Sequence, residues 1–224
     1  MTDPATIVIA IDGPSGSGKS TVARAVAAKL GLPVLDTGAM YRAVTLAVLE
    51  AGAPIDDAIA CATIARTSAI TVEGGVTMLD GRDVSGEIRG PLVTGAVSIV
   101  SAHPEVRAIL VAQQRAWIAR HGGGVVEGRD IGTVVFTTAT VKVFLVASDD
   151  ERARRRQRDE TAAARAVAVE DVKAAIDRRD AIDAGRAVSP MRAADDAIVI
   201  DTTDLDIDTV AADVVARARS AEAR

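Results

Sequence analysis

Residues 13–20 read Gly-Pro-Ser-Gly-Ser-Gly-Lys-Ser. This is the spacing G-x-x-x-x-G-K-[ST] that a phosphate-binding loop requires. Gly13, Gly16 and Gly18 let backbone N–H groups converge on phosphate oxygens, and a helix N-terminus adds about half a positive charge. Pro14, Ser15, Ser17 and Thr21 belong to the same ATP-facing stretch. Lys19 is placed to bridge the transferred phosphoryl group and its neighbour, and the Ser20 hydroxyl to ligate Mg²⁺. A glycine-rich structural turn is the competing reading. The flanks decide against it, since a buried-strand pattern precedes the loop and a helical pattern follows. Such a loop fixes nucleotide binding and leaves the reaction open. A GTPase needs an Asn-Lys-x-Asp motif to read guanine, and this chain contains no Asn. AAA-type and ABC modules would be longer or carry other signatures. A small kinase remains.

The acceptor is read from the cations. A kinase acting on a hydroxyl needs a base to take its proton. One acting on a phosphate monoester does not, because that group is mostly dianionic at pH 7, with a second pKa of about 6. Its difficulty is bringing two anions together, and planar Arg forks are suited to that. Of 26 basic residues, 22 are Arg. Arg152, Arg154, Arg155, Arg156 and Arg158 fall within one helical stretch, and Arg179, Asp183 and Arg186 at i, i+4 and i+7 share a helix face. A phosphate acceptor is favoured. The plainer readings are a solvated charged helix for 152–158, offset by Asp149, Asp150, Glu151, Asp159 and Glu160, and a string of i,i+4 ion pairs for 179–186, worth a few tenths of a kcal/mol each.

Composition removes other classes. With 31 acidic residues the net charge is −5 and the pI near 5.1, against a general nucleic-acid binder. One Trp, one Tyr and two Phe cannot build a base-stacking platform. One Cys and two His exclude a disulfide framework and a Cys- or His-rich metal centre. No apolar run approaches the ~20 residues of a membrane span. Met1–Pro4 lacks the basic start of a signal peptide, so the expected location is the cytoplasm. Cys61 and Trp117 read as core, His103 as a helix entry and His121 as a helix end.

The elements that must position these residues follow from periodicity. Thr6–Ile11 is a continuous β-branched run, predicting a strand buried on both faces. A helix over Ser20–Leu30 closes at Gly31. Pro33–Leu35 is a second strand, Thr37 the expected N-cap of a helix ending near Gly52, and Asp56 the start of another to about Arg66. This βαβα order predicts a parallel sheet flanked by helices. Short strands at 70–73, 76–80 and 82–84, separated by Gly74-Gly75 and Asp80-Gly81, predict an antiparallel insert over 68–90. Helices are expected over 91–102, 104–120, 149–165, 169–184 and 207–223, and strands over 125–127, 141–146 and 197–200. One domain spanning 1–224 is expected.

Five segments, DGPSGSGKS (12–20), LDTGAMYR (35–42), LDGRDVSGEIR (79–89), EGRDIGTVVF (127–136) and GRAVSP (185–190), occur in order over nearly the whole chain. Together they resemble the bacterial cytidylate kinases, which phosphorylate CMP and dCMP using ATP with Mg²⁺. The resemblance implies an α/β P-loop NTPase fold with the antiparallel insert in the monophosphate-binding region and a short helical lid at about 149–168. It implies that Arg42 grips the CMP phosphate, with Thr37 and Tyr41 against the nucleotide. Thr37 stands where the family often has Ser. Ser98, Arg107 and Asp130 match base-reading positions. The chemistry agrees, because cytosine N4 donates to a carboxylate while N3 and O2 accept. For Arg107 a surface ion pair with Glu105 or Asp130 competes, and for Arg42 a solvated helix position. The resemblance further places Arg129, Arg179 and Arg186 with Lys19 on phosphates, Asp183 on sugar hydroxyls, and Arg155 and Arg156 over ATP. It implies small-molecule partners only, no nucleic acid, no membrane and a monomer. The alternatives are another small-molecule P-loop kinase, acting on UMP or another acceptor, and a non-enzymatic nucleotide-dependent regulator.

Overall fold

The computed structural model describes residues 6–162, 169–186 and 188–222. The expectations for Met1–Pro4, for 163–168 of the lid and for Ala187 lie outside the described residues. In chain order the elements are β1 (Ile7–Asp12), α1 (Lys19–Leu30), β2 (Val34–Asp36), α2 (Thr37–Glu50), α3 (Ala58–Thr67), β3 (Ile70–Glu73), β4 (Val76–Leu79) and β5 (Arg82–Asp83). A 3₁₀ turn at Glu87–Arg89 precedes α4 (Pro91–Val100), α5 (Pro104–His121) and β6 (Gly123–Glu127). A π-type turn at Ile131–Val135 leads to β7 (Val141–Val146), α6 (Asp149–Ala162), α7 (Val169–Ala184), β8 (Ile198–Asp201) and α8 (Ile207–Glu222). Two compact units result: Met1–Leu32 with Val125–Arg224, and Pro33–Gly124. This is an α/β P-loop NTPase fold with a small antiparallel sheet.

In the first unit the strands stand in the order β6-β1-β7-β8, with β1–β7 and β7–β8 parallel. Val8 to Asp12 of β1 are all buried, as a strand covered on both faces requires. Helices α1 and α8 pack together beside this sheet, and α6 packs on α7. The core is aliphatic: Ile9, Ile11, Val26, Val143, Leu145 and Val214 are each at most 2 % exposed. Gly31 caps α1 in the left-handed conformation, its N–H reaching Ala27 O.

In the second unit α2 packs on α3, α4 and the antiparallel sheet, and α3 packs on α5. Glu73 pairs with Val76, and Leu79 with Arg82, so each hairpin has a two-residue turn. Gly74-Gly75 (φ 58 and 83) and Asp80-Gly81 (φ 50 and 82) give both turn residues positive φ, the type I′ geometry that suits strand twist. Cys61 and Trp117 are core, and Trp117 stacks on His121 at 4.0 Å between ring centres. His103 occupies the N-cap position of α5 with its Nε2 2.8 Å from Ile55 O, and His121 ends that helix.

Three local expectations shift. The cap of α2 is Asp36, whose carboxylate accepts the Ala39 N–H at 3.0 Å, so Thr37 becomes the first helical residue. The cap of α3 is Asp57, accepting from Ile59 and Ala60 at 3.0 Å, one residue after Asp56. In both cases the acid that reaches orphan N–H groups two or three residues ahead wins the position. Helix α7 ends at Ala184, with Gly185 N–H on Ala181 O, so Arg186 lies beyond the helix and not on its face.

Candidate active site

The phosphate loop is built by close backbone approach. A Cβ on Gly13 (φ +143) would stand 2.1 Å from Leu145 O of β7, and one on Gly16 (φ +77) 2.7 Å from Arg152 O of α6. Only glycine fits either place. Gly18, also left-handed, starts α1 by accepting the Val22 N–H at 3.0 Å. Lys19 Nζ folds over the loop to donate to Pro14 O at 2.7 Å, and Ser20 Oγ donates to Glu127 Oε2 at 2.8 Å. Ser17 is fully buried, and its hydroxyl has no partner among the described residues.

Around this loop the first unit gathers the cations. Arg129 donates from Nη1 to Gly13 O at 2.7 Å, and its Nε lies 3.0 Å from Asp183 Oδ2. Asp183, 1 % exposed, also pairs with Arg179 at 3.9 Å and with Arg186. Arg186 therefore reaches the expected partner from outside the helix. Burial, then repulsion from Arg129, pushes Lys19 down to about 7 and Arg179 down to about 10. These two positions are short of negative charge, which a polyphosphate would supply.

The helix pair α6–α7 adds more. Arg152 is buried, donating to Ser15 O at 3.1 Å, to Asp149 at 2.8 Å and to Asp180. Arg155 lies beside the loop, with Nη1 3.6 Å from where a Gly18 Cβ would stand. It is held by Thr202 through Oγ1 (2.9 Å) and O (2.6 Å). Arg156 is half-buried and close enough to Arg179 to help lower its pKa. Arg154 and Arg158 are exposed and pair with Glu151, so the solvated reading holds for them.

The second unit holds the other expected residues. Arg42 is buried rather than solvated, with Nη1 donating to Ile88 O (2.8 Å) and Thr94 Oγ1 (2.9 Å). On the same helix Tyr41, next to Arg42, and Thr37, in the first turn, are buried, and Ser98 is buried one turn beyond Thr94 on α4. The Arg107 guanidinium stands over the Tyr41 ring at 5.4 Å and donates to Ser101 O at 3.5 Å. Asp130 belongs to the first unit, buried at the entry of the π-type turn.

Four residues of this neighbourhood escape the sequence reading. Asp12 accepts the Ile131 and Gly132 N–H groups, both at 2.8 Å, and burial pushes its carboxyl up to about 6. It thereby anchors the turn that follows Arg129 and Asp130. Glu127 holds Ser20, Asp180 holds the loop and two arginines, and Thr202 joins Arg155 to Ser17 O at 3.1 Å. Asp12 and Glu127 lie inside the segments quoted above and Asp180 adjoins Arg179, but nothing local in the sequence marks the distant partners they hold.

The oxygen donors Ser20 Oγ and Glu127 Oε2 fit a hard cation such as Mg²⁺. No group of three or more His, Cys, Asp or Glu side chains placed to hold a metal ion occurs among the described residues. No single helix among them is long and apolar enough to cross a membrane.

A family model described as cytidylate kinase matches residues 9–220. The cytidylate kinase of Rhodococcus opacus (strain B4) is 50% identical over 209 residues, covering 92% of this chain and 91% of that protein. That of Mycobacterium avium (strain 104) is 52% identical over 205 residues, covering 90% of each. A bifunctional pantoate ligase/cytidylate kinase from Synechococcus is 51% identical over 209 residues, of whose length this chain spans 38%. A solved structure of an uncharacterized protein from Eubacterium ventriosum ATCC 27560 superposes with a TM-score of 0.52 at 15% identity, covering 96% of this chain and 99% of that one. That likeness bears on the fold alone. With its motifs seated in the described fold and the match running over nearly its whole length, this chain belongs to the cytidylate kinase family.

Proposed function

We propose that the chain transfers the γ-phosphoryl group of ATP to CMP or dCMP, releasing ADP and CDP or dCDP. The observation that carries this reading is the set of largely covered arginines, Arg129, Arg179 and Arg186, which meet on buried Asp183 beside the P-loop lysine. Such a set is suited to neutralising two phosphates at once, so catalysis is positioning plus electrostatics. Lys19 and the P-loop amides of 13–21 hold the ATP phosphates. Arg129, Arg179 and Arg186 stabilise the charge spread over the transferred group. Arg42 grips the CMP phosphate, backed by Thr37 and Tyr41. Ser98, Arg107 and Asp130 read the base, Asp130 accepting from N4. Asp183 takes sugar hydroxyls while orienting its arginines. Arg155 and Arg156 cover ATP from a lid at about 149–168. Ser20, with Glu127 beside it, would hold Mg²⁺, which would supply positive charge against the ATP phosphates. The chain acts as one catalytic domain, a monomer in the cytoplasm, with no nucleic-acid or membrane partner.

The test is ADP release with CMP, dCMP, UMP, AMP and shikimate as acceptors. CMP and dCMP are expected to dominate. UMP turning over as well as CMP would remove the Asp130 argument, and no acceptor at all would leave a nucleotide-binding regulator.

A further inference from the structure

Asp180 touches the P-loop itself and has no part in the mechanism above. It projects from α7 and meets three donors. Its Oδ1 accepts the Ser15 N–H of the P-loop at 3.2 Å, Arg152 of α6 donates to its Oδ2, and Arg129 Nη1 lies 3.6 Å from Oδ1. Arg152 also donates to Ser15 O, which closes a ring of loop, lid helix and α7. The Asp180 side chain is 13 % exposed. A P-loop amide and two guanidinium forks are the donors a phosphoryl group takes. Around them burial, and after it repulsion from Arg129, lowers the pKa values of Lys19 and Arg179.

We propose that Asp180 is a built-in stand-in for a phosphoryl group: in the nucleotide-free protein its carboxylate holds the Ser15 amide, Arg152 and Arg129 in place, and the terminal phosphate of ATP displaces it. The inference rests on the P-loop reading and not on which acceptor is used. A terminal phosphate brings three oxygens and more charge than a carboxylate, so it wins the donors once seated. Until then the carboxylate repels it. Asp180 thus keeps a cation-rich site assembled when empty, at the cost of affinity for the triphosphate.

The experiment measures binding of the Mg²⁺ complex of the non-hydrolysable analogue adenylyl imidodiphosphate, and of ADP, to wild type, Asp180→Asn and Asp177→Asn by calorimetry, together with the melting temperature of each empty protein. Asn keeps an acceptor for the Ser15 N–H and removes the charge. Asp180→Asn is expected to bind the triphosphate analogue at least about five-fold more tightly, a change of about 1 kcal/mol, with a smaller change for ADP and a lower melting temperature when empty. Asp177 lies on the same helix, half-exposed and 3.9 Å from Arg152, and makes the same charge change without touching the loop. Its variant is expected to bind as wild type does. Equal or weaker triphosphate binding by Asp180→Asn means that Asp180 is only a structural staple, and overturns the proposal. So does equal tightening in Asp177→Asn, which would be a general field effect. If Asp180→Asn does not fold, Asp180→Ser is read by the same criteria. Failure of the wild type to phosphorylate CMP would sink the acceptor assignment and leave this comparison intact, because it is read without any acceptor.

Discussion

Lys19 Nζ is buried against Pro14 O, and burial together with Arg129 holds its pKa at about 7. At pH 8 most of the empty protein therefore carries a neutral Lys19. Bound phosphates favour the ammonium form, so ATP binding at pH 8 is expected to take up nearly one proton, and less at pH 6. Affinity for ATP falls as pH rises above about 7. Calorimetry in buffers of different ionisation enthalpy measures the uptake, and zero uptake at pH 8 would contradict it. Lys19→Arg should abolish it. Arg186→Ala is expected to lower kcat by about two orders of magnitude, in the range of losing one charge-stabilising donor. A near-normal kcat would make Arg186 merely the partner of Asp183. Asp130→Ala should narrow the CMP over UMP preference, read as a ratio of kcat/KM values.

At the level of elements, the loop depends on what crosses behind it. Gly16→Ala would force a Cβ to 2.7 Å from the Arg152 carbonyl, and a backbone atom cannot give way as a side-chain tip can. Gly31 and Gly52 also have positive φ, but nothing lies within 4 Å of a Cβ there. Ala at Gly31 should thus cost only the left-handed penalty of about 1 kcal/mol, whereas Gly16→Ala should cost at least about 2 kcal/mol and the binding of ATP. Urea unfolding of the two variants makes the comparison. The same contrast explains what could be read in advance. Gly74-Gly75 and Asp80-Gly81 announce their hairpins because a type I′ turn needs particular residues locally. The P-loop is legible for the same reason. Asp180 and Glu127 are not, since they act across 165 and 107 residues of sequence and are delivered by the order of strands and the packing of α6 on α7. The π-type turn after Asp130 has no composition of its own. It is held by Asp12, whose part only the fold shows.

For the whole molecule, net charge and site charge point in opposite directions. The chain carries −5 overall, yet part of its Arg surplus over Lys is gathered around buried Asp183. At 0.15 M salt, about one Debye length of 8 Å from the surface, an acidic exterior gives no purchase to polyanions. The protein should therefore pass through a heparin column unretained while still binding ATP. Retention would mean that basic side chains lie on one open face. Sedimentation at 23.0 kDa, independent of concentration, is expected for the monomer. An increase with concentration would point to the exposed Leu92 and Ile59.

The single thiol has a practical consequence. Cys61 is fully buried, its Sγ facing Pro54 O and Ile55 O, and burial pushes its pKa up. A maleimide, which needs an accessible thiolate, will find almost nothing to react with in the native protein. A cysteine introduced at an exposed position such as Arg154 or Arg178 can then be tagged selectively without first removing the natural one. A dye on α6 or α7 could then be read during turnover on an otherwise unaltered chain.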